Sequence, residues 1–536
     1  MIHGYEAETV RAAERPLLNA GEPLMRRAAH ALAAHVRAEL RARTGLVADA
    51  DRAPGPPPHV LVLAGSGANG GDGLHAAAML CRDGIRADGL ATADACHQEG
   101  ARALHAAGGT LHRLADLTQQ QLGELIDGTC LVLDAILGIG GRPEVPGDLR
   151  RMLELIRHRG TPVIAVDLPS FLDATTGEAA ELALPARSTV TFGAVKAGML
   201  LPGGSALTGR THLVDLGLAD HLPPQPAVQR LQDEDVRRLW PRAGRDDSKY
   251  SRGVVAIAAG STRYPGAAVL ACSGAARAGA GMVRCLAPAP VLDLVLRTRP
   301  EVLGHPVPDG PAAPAAGSRA GGVDLADIGR TDALVVGPGL PGDDARARTV
   351  IDALRAGADG EVRRGVIDAG GIDAIRRADR FSAEVVLTPH RGEAQRLART
   401  LGIDPEQDAP ALARALAGAT GATVLMKGSV SVIAAPEAEV PLLAQDDATA
   451  YLATAGTGDV LAGILGTLLA AGLPGPHSAA IAALLHGRAG RLASHGGLVP
   501  VVALDVAARV PDALATILSG TEDQPHGAEP SSEGER

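Results

Sequence analysis

Apolar residues recur along this chain in two periods. In residues 5–43, Leu24, Met25, Ala28, Leu32 and Val36 fall at helical spacing among Ala, Arg and Glu, which predicts one or two amphipathic helices. From residue 60 the pattern changes to short continuous apolar runs closed by Gly, Asp or Pro. Runs at 60–64, 131–136, 162–168, 189–192 and 211–216 have the length of buried parallel strands. A proline-rich break at 48–58 precedes the first run, and a helix at 74–82 is expected after the glycine-rich stretch 65–73. Pro223-Pro-Gln-Pro226 and a charged helix at 233–239 read as a linker over 219–248. The alternation then resumes with strands at 254–258, 333–336, 365–367, 385–388 and 423–426, and helices near 457–471, 477–494 and 500–518. Residues 305–322 read as a Pro, Ala and Gly-rich surface loop, and 521–536 as a disordered polar tail. Strands alternating with helices predict an α/β protein of two three-layer, doubly wound domains, residues 1–220 and 230–520.

Charge and composition narrow the partners. With 51 basic against 61 acidic residues and a net charge of −10, the chain does not steer nucleic acid, and 1% aromatic content removes the usual base-stacking platforms. Five cysteines, an odd number without Cys-x-x-Cys, argue for core thiols in a reducing compartment and against a zinc site. The first 16 residues carry Glu6, Glu8 and Glu14 without an apolar segment, and the most apolar stretch, 460–473, is shorter than the ~20 residues of a membrane span. The expectation is a soluble cytoplasmic protein that binds no membrane.

Chemistry-bearing residues cluster where strands end. Asp134 precedes Gly138-Ile-Gly-Gly141, Asp167 precedes Pro169-Ser170, and Lys196 follows Phe192-Gly193. Gly65, Gly67 and Gly70 satisfy a G-x-G-x-x-G pattern with Asp88 beyond, but Asn69 and Asp72 in the same stretch suit a cation or sugar-phosphate better than a plain dinucleotide turn. In Ala453-Thr-Ala-Gly-Thr-Gly-Asp-Val-Leu-Ala-Gly463 two glycines lead into a helix start, the arrangement that binds phosphate. Asp459 would repel that anion unless it draws a proton from an attacking hydroxyl. Read singly, each aspartate is equally a helix cap, His390 a structural histidine and Lys427 a surface charge. The chain has only three lysines, 196, 249 and 427, amid abundant arginine, which marks them as places where a guanidinium does not serve.

Taken in order, Asn69-Gly-Gly-Asp-Gly73, Asp134-Ala-Ile-Leu-Gly-Ile-Gly140, Val166-Asp-Leu-Pro-Ser170 with Asp173-Ala-Thr-Thr-Gly177, and Thr191-Phe-Gly-Ala-Val-Lys196 resemble the motifs of the NAD(P)H-hydrate epimerase family. The resemblance implies a Rossmann-like domain. It places the hydrated dinucleotides NADHX and NADPHX on Ala68, Asn69, Gly70, Gly71 and Asp72, on Gly138, Ile139, Gly140, Gly141, Arg142, Pro143 and Glu144, and on Asp167. Potassium falls on Asn69, Asp134 and Ser170, and Asp167 and Lys196 are the acid/base candidates. Ala68, Ile139 and Phe171 stand where the family has Asn, Thr and Gly. If position 171 needs positive φ, its ring stores strain or obstructs the site, and Phe171→Gly should then raise epimerisation.

The second half is similar to the ADP-dependent NAD(P)H-hydrate dehydratases, which are ribokinase-like. Tyr264-Pro-Gly-Ala-Ala268, Gly337-Pro-Gly-Leu340, Leu387-Thr-Pro-His-Arg-Gly-Glu393, Lys427-Gly-Ser-Val-Ser431 and Ala455-Gly-Thr-Gly-Asp459 carry the likeness, while Asp368-Ala-Gly-Gly departs from the family's Asp-Ala-Asp-Ala. It implies hydrate contacts at Ala267, Gly339, His390 and Asp459, the last as catalytic base. The adenine nucleotide falls on Lys427, Gly428, Ser429, Val430, Ser431 and Gly458, with ADP as co-substrate, magnesium beside it, and a homo-oligomer. The alternatives are a ribokinase-like kinase of a small alcohol, or a first half reduced to a binding module.

Overall fold

The computed structural model describes residues 1–44, 58–308, 325, 327–355 and 363–520. The break at 48–58 and the loop at 305–322 lie largely outside the described residues, and the tail at 521–536 wholly so. The chain forms two compact units, Ile2–Arg230 and Leu231–Arg536 with Met1.

The first unit is built on a parallel sheet ordered Leu111–Arg113, Arg86–Ala91, His59–Ala64, Leu131–Ala135, Val163–Val166, Ser188–Phe192, Arg210–Val214. Val60, Val62 and Ala64 pack on one face with residues of the helices Leu24–Thr44, Ala68–Arg82 and Gln98–Ala106, while Leu61 and Leu63 pack on the other with those of Gln119–Asp127 and Gly147–Arg159. Strands buried on both faces carry continuous apolar sequence, which is why these runs were legible. The order reverses between His59–Ala64 and Leu131–Ala135, so the crevice outside Gly65 and Ile136 is the topological switch point where such sheets bind ligands.

The second unit repeats this plan. Seven parallel strands, Leu303–Pro306, Met282–Ala287, Val254–Ala258, Ala333–Val336, Gly365–Ile367, Val385–Leu387 and Thr423–Met426, continue into antiparallel Ser431–Ala434 and Leu442–Gln445. Its switch point lies between Val254–Ala258 and Ala333–Val336. There the Gly260 amide donates to Pro338 O at 2.8 Å and the Ser261 hydroxyl to Gly339 O at 2.8 Å.

Three expectations change. The helix after the first glycine stretch begins at Ala68 rather than 74, because Gly70 and Gly73 serve close packing and not a turn. A Cβ on Gly70 would lie 2.1 Å from Gly65 O, and one on Gly73 would lie 2.8 Å from both Val62 and Ala135 side chains. The stretch 219–248 is not a free linker, since Val228–Arg230 is a strand and Leu231 and Val236 sit in the second unit's core. Of the five thiols, all free, only Cys272 and Cys285 are buried. Among the described residues no helix is long and apolar enough to cross a membrane.

The helix Thr457–Ala470 lies against Gly266–Arg277 with almost no room: a Cβ on Gly463 would stand 2.0 Å from Ala271 O, and one on Gly274 would stand 2.3 Å from Val460 O. Gly463→Ala gains about 1 kcal/mol of helix propensity, but the forced separation costs about 1–3 kcal/mol. The variant should therefore unfold at lower denaturant than the parent, and an unchanged or higher midpoint would refute the tight contact.

Candidate active sites

In the first unit Lys196 is fixed by short pairing of Val195–Lys196 with Ile2–Tyr5, where Tyr5 is the partner of Lys196. Its ammonium is buried and donates to Asp167 Oδ1, to Thr191 Oγ1 at 3.0 Å and to Phe192 O at 3.1 Å. Asp167 has a left-handed backbone, φ 70°, directly after Val163–Val166, and its Oδ1 also accepts from the Phe192 amide at 3.2 Å. Asp72, in the second turn of Ala68–Arg82, is buried and its Oδ1 has no hydrogen-bond partner. Burial, reinforced by the charges of Asp167 and Glu14, pushes Asp72 up to about 8. Burial likewise raises Glu14, with Lys196 opposing and Asp167 adding to the shift. Three carboxyl groups therefore surround one lysine.

Asp134 is fully buried beside this cluster's strands and is anchored to the next loop. Its carboxylate accepts from the Ser170 hydroxyl at 2.5 Å, the Ser170 amide at 2.9 Å and the Ile136 amide at 3.4 Å. Burial raises its carboxyl above the ordinary range against those hydrogen bonds. Asn69, buried with its Nδ2 unpartnered, lies against the Gly138 turn, where a Cβ would come within 3.3 Å of it. Gly141 closes that turn onto Gly138 O at 2.8 Å, and Ile139 O accepts from Arg11 at 3.1 Å. Arg142, Glu144 and Gly140 line a cavity of about 800 Å³ together with Gly65, Ile136 and Phe171.

The second unit holds a parallel cluster. Lys427, at the end of Thr423–Met426, donates to Asp368 Oδ1 at 2.7 Å and lies 3.9 Å from Glu393 Oε2, and Thr388 Oγ1 donates to the same Asp368 oxygen at 2.8 Å. A Cβ on Gly458 would lie 3.4 Å from Lys427 Nζ, so the ammonium faces the start of the Thr457–Ala470 helix. Burial would lower Lys427, but Asp368, Glu393 and Asp459 together hold it above the ordinary lysine range. Burial, with Asp368 adding to it and Lys427 opposing, pushes Asp459 up to about 7. Gly456 enters the helix with φ 90°, and Thr457 Oγ1 donates to Leu452 O at 2.8 Å, tying down the turn before it.

Gly339, φ 66°, touches Ala267, where a Cβ would approach the alanine methyl to 2.5 Å. His390 pairs alongside Lys427 in an isolated bridge, while its Nδ1 accepts from the Gly392 amide at 3.0 Å, capping Arg391–Leu401 with Glu393 in reciprocal capping-box contact. Gly428 and Ser429 are exposed in the hairpin turn before Ser431, and Val430 is buried. Tyr264, Leu340, Ala369, Asp373 and Glu393 line a cavity of about 600 Å³ at the switch point.

Comparison with known proteins joins these halves. A YjeF-related protein N-terminus model matches residues 21–198, and a model described as NAD(P)H-hydrate dehydratase matches 255–511. The bifunctional NAD(P)H-hydrate repair enzyme Nnr of Mycobacterium tuberculosis is 39% identical over 488 residues, spanning 90% of this chain and 92% of that protein. The chain belongs to the bifunctional NAD(P)H-hydrate repair family. An NAD(P)H-hydrate epimerase of Microbacterium testaceum is 43% identical over 252 residues, covering 46% of this chain and 90% of its own. The solved ADP/ATP-dependent NAD(P)H-hydrate dehydratase of Bacillus subtilis, co-crystallised with ATP and Mg²⁺, is 24% identical over 53% of this chain and 97% of its own, with a TM-score of 0.44.

The structure adds Glu14, the Thr191 hydroxyl and the pairing of Lys427 with Asp368 and Glu393, which the sequence did not single out. Only the Glu393 cap signal, three residues after His390, was visible beforehand. Lys249 takes no part in either cluster, being exposed over the Tyr250 ring. Phe171 does occupy positive φ, at 66°, but its ring is 1% exposed and packs into the core with Leu149 and Met152 rather than into the Lys196 cluster. Phe171→Gly relieves roughly 1–3 kcal/mol of strain and loses about 3–5 kcal/mol of buried aromatic packing. The variant should be less stable by about 2 kcal/mol, read from denaturant melts. A gain in stability would show that strain outweighs packing.

Proposed function

We propose that the first unit epimerises R and S NAD(P)HX at Lys196, Asp167 and Asp72, and that the second dehydrates the S form with ADP at Asp459, releasing AMP and phosphate. The observation that carries this reading is that each unit sets one lysine among three carboxyl groups, with Asp72 in the first and Asp459 in the second pushed up towards neutral pH. Inverting a hydroxyl-bearing ring carbon requires a proton for the departing hydroxyl and an acceptor for the proton of the returning water. Asp72, protonated at neutral pH, is the donor, and Asp167, ion-paired to Lys196, is the acceptor. In the second unit a ring hydroxyl leaves poorly until phosphorylated. Asp459 takes its proton, and the amides from Gly456 to Gly458 with the helix start hold the phosphoryl group.

The oxygen set of Asn69, Asp134 and Ser170 lacks thiolate and imidazole and includes a buried carboxylate bonded to no cationic side chain, which suits potassium. Bound there, potassium would supply charge that steadies the 138–141 turn. Among the described residues no group of three or more His, Cys, Asp or Glu is arranged to hold a metal ion, so magnesium fits the second unit as the companion of nucleotide phosphates. The reading places the enzyme in the cytoplasm as a homo-oligomer.

The two activities should respond to pH in opposite senses. Epimerisation needs Asp72 protonated and should decline as pH rises through about 8. Dehydration needs Asp459 ionised and should rise through about 7. Parallel profiles for the two reactions, followed by chromatography of R and S hydrate alongside NADH absorbance, would contradict these roles. Asp459→Asn retains shape without basicity, so dehydration should fall by about 10² to 10⁴-fold while epimerisation is unchanged. A variant that regenerates NADH at the parent rate would remove Asp459 as the base, and one that also loses epimerisation would remove the independence of the halves.

A further inference from the structure

We infer that the second unit binds a nucleoside monophosphate at the end of its sheet opposite the Lys427 cluster, in a cavity of about 530 Å³ beside Trp240. Asp368 and Lys427 follow the ends of their strands, whereas this cavity's lining precedes strands: Ser251 and Arg252 come just before Val254–Ala258, and Gly279 just before Met282–Ala287. The inference goes beyond both proposed reactions and depends on neither. A ligand held here is bound and released unchanged.

Close backbone contacts build the cavity's floor. A Cβ on Gly253, at φ 91°, would lie 2.5 Å from Ala470 O, and one on Gly281 would lie 2.1 Å from Lys249 O. The segment 249–253 is thereby pressed between the end of the Thr457–Ala470 helix and the turn before Met282–Ala287, and Arg252 fastens it by donating to Gly279 O at 2.7 Å. Leu468, Leu514 and Leu518 supply apolar lining. Trp240 is half-buried against the second unit's core and lines the same space.

These groups fit a base with one phosphate. An indole is a surface on which a purine stacks, and the volume falls within the range of small-molecule sites. Arg242 and Arg277 line the cavity, are exposed, and form no hydrogen bond or ion pair among the described residues, so their guanidinium groups are available to an anion. Asp247 is the cavity's one acidic residue and is already engaged. Its carboxylate accepts from the Gly244 amide at 2.6 Å and the Ser251 hydroxyl at 2.9 Å, hydrogen bonds that hold it below the ordinary carboxylate range. No carboxylate of the lining is therefore left for the magnesium that a di- or triphosphate brings, which favours a monophosphate.

Trp240 is the chain's only tryptophan, so its emission reports on this cavity directly. AMP titrated into the full-length protein should quench that emission saturably, with adenosine and inorganic phosphate each weaker by about tenfold or more, the scale of a lost charge-assisted contact. Arg242→Glu and Arg277→Glu, both at exposed positions, should each weaken AMP by a similar factor while dehydration measured without AMP stays at the parent rate. In hydrogen exchange AMP should protect residues 240–252 and 511–518 of the parent protein, a readout that needs no variant. Absence of quenching or of this protection, or adenosine binding as well as AMP, overturns the inference. Quenching that survives both substitutions would place AMP at the catalytic nucleotide site and overturn it equally, and loss of dehydration in either variant would tie these arginines to catalysis instead.

Discussion

Taking an ammonium group out of water is unfavourable unless carboxylates stand beside it, but carboxylates buried with it lose their own hydration. Burial first, and the neighbouring carboxylates second, then favour the protonated carboxyl form. That constraint operates twice in this chain, around Lys196 and around Lys427, and it converts ordinary aspartates into groups that exchange protons near neutral pH. An arginine would not reproduce it. Its broad guanidinium spreads charge over a fork of donors, whereas the lysine is a point charge that directs hydrogen bonds to Asp167, Thr191 and Phe192 from one atom.

The clusters exist because backbone segments come closer than side chains allow. A Cβ on Gly65 would lie 1.9 Å from Ile136 O, one on Gly337 would lie 1.7 Å from Asp368 O, and one on Gly370 would lie 1.9 Å from Leu340 O. These contacts pull neighbouring strand-end turns together at each switch point. The departure at Asp368-Ala-Gly-Gly371 belongs here. With the loop after Ala333–Val336 pressed on Gly370, this backbone has no space for an aspartate side chain, and Ala369 is left at φ 46°. The tight fit that excludes a side chain also holds Asp368 at hydrogen-bond distance from Lys427.

Much of this was legible in the chain, for definable reasons. Strands buried on both faces are continuous apolar runs, so those at 254–258, 333–336, 365–367 and 423–426 emerged with their observed bounds. The start of the Ala68–Arg82 helix was not legible, because glycine signals a turn and a close helix packing contact equally well. Strands such as Arg86–Ala91 and Leu303–Pro306 carry Arg, Asp, Gly or Pro within them and do not stand out by hydropathy. Among site residues, those lying in compact local motifs could be named from sequence. Glu14 could not, since it reaches the cluster from a helix more than 150 residues before Asp167 in the chain, and neither could the ion pair between Asp368 and Lys427, 59 residues apart. Of the three rare lysines, Lys196 and Lys427 sit among carboxyl groups, while Lys249 is exposed over the Tyr250 ring.

Amine-directed chemistry on this protein has few places to go. Lys196 is 1% exposed, and Lys427 is tied to Asp368 and Glu393. Lys249 is open to solvent beside Tyr250, in a segment apart from both carboxyl clusters. Among the lysines, a fluorophore or support coupled through amines at moderate pH would therefore attach at Lys249, giving a conjugate oriented by a single side chain.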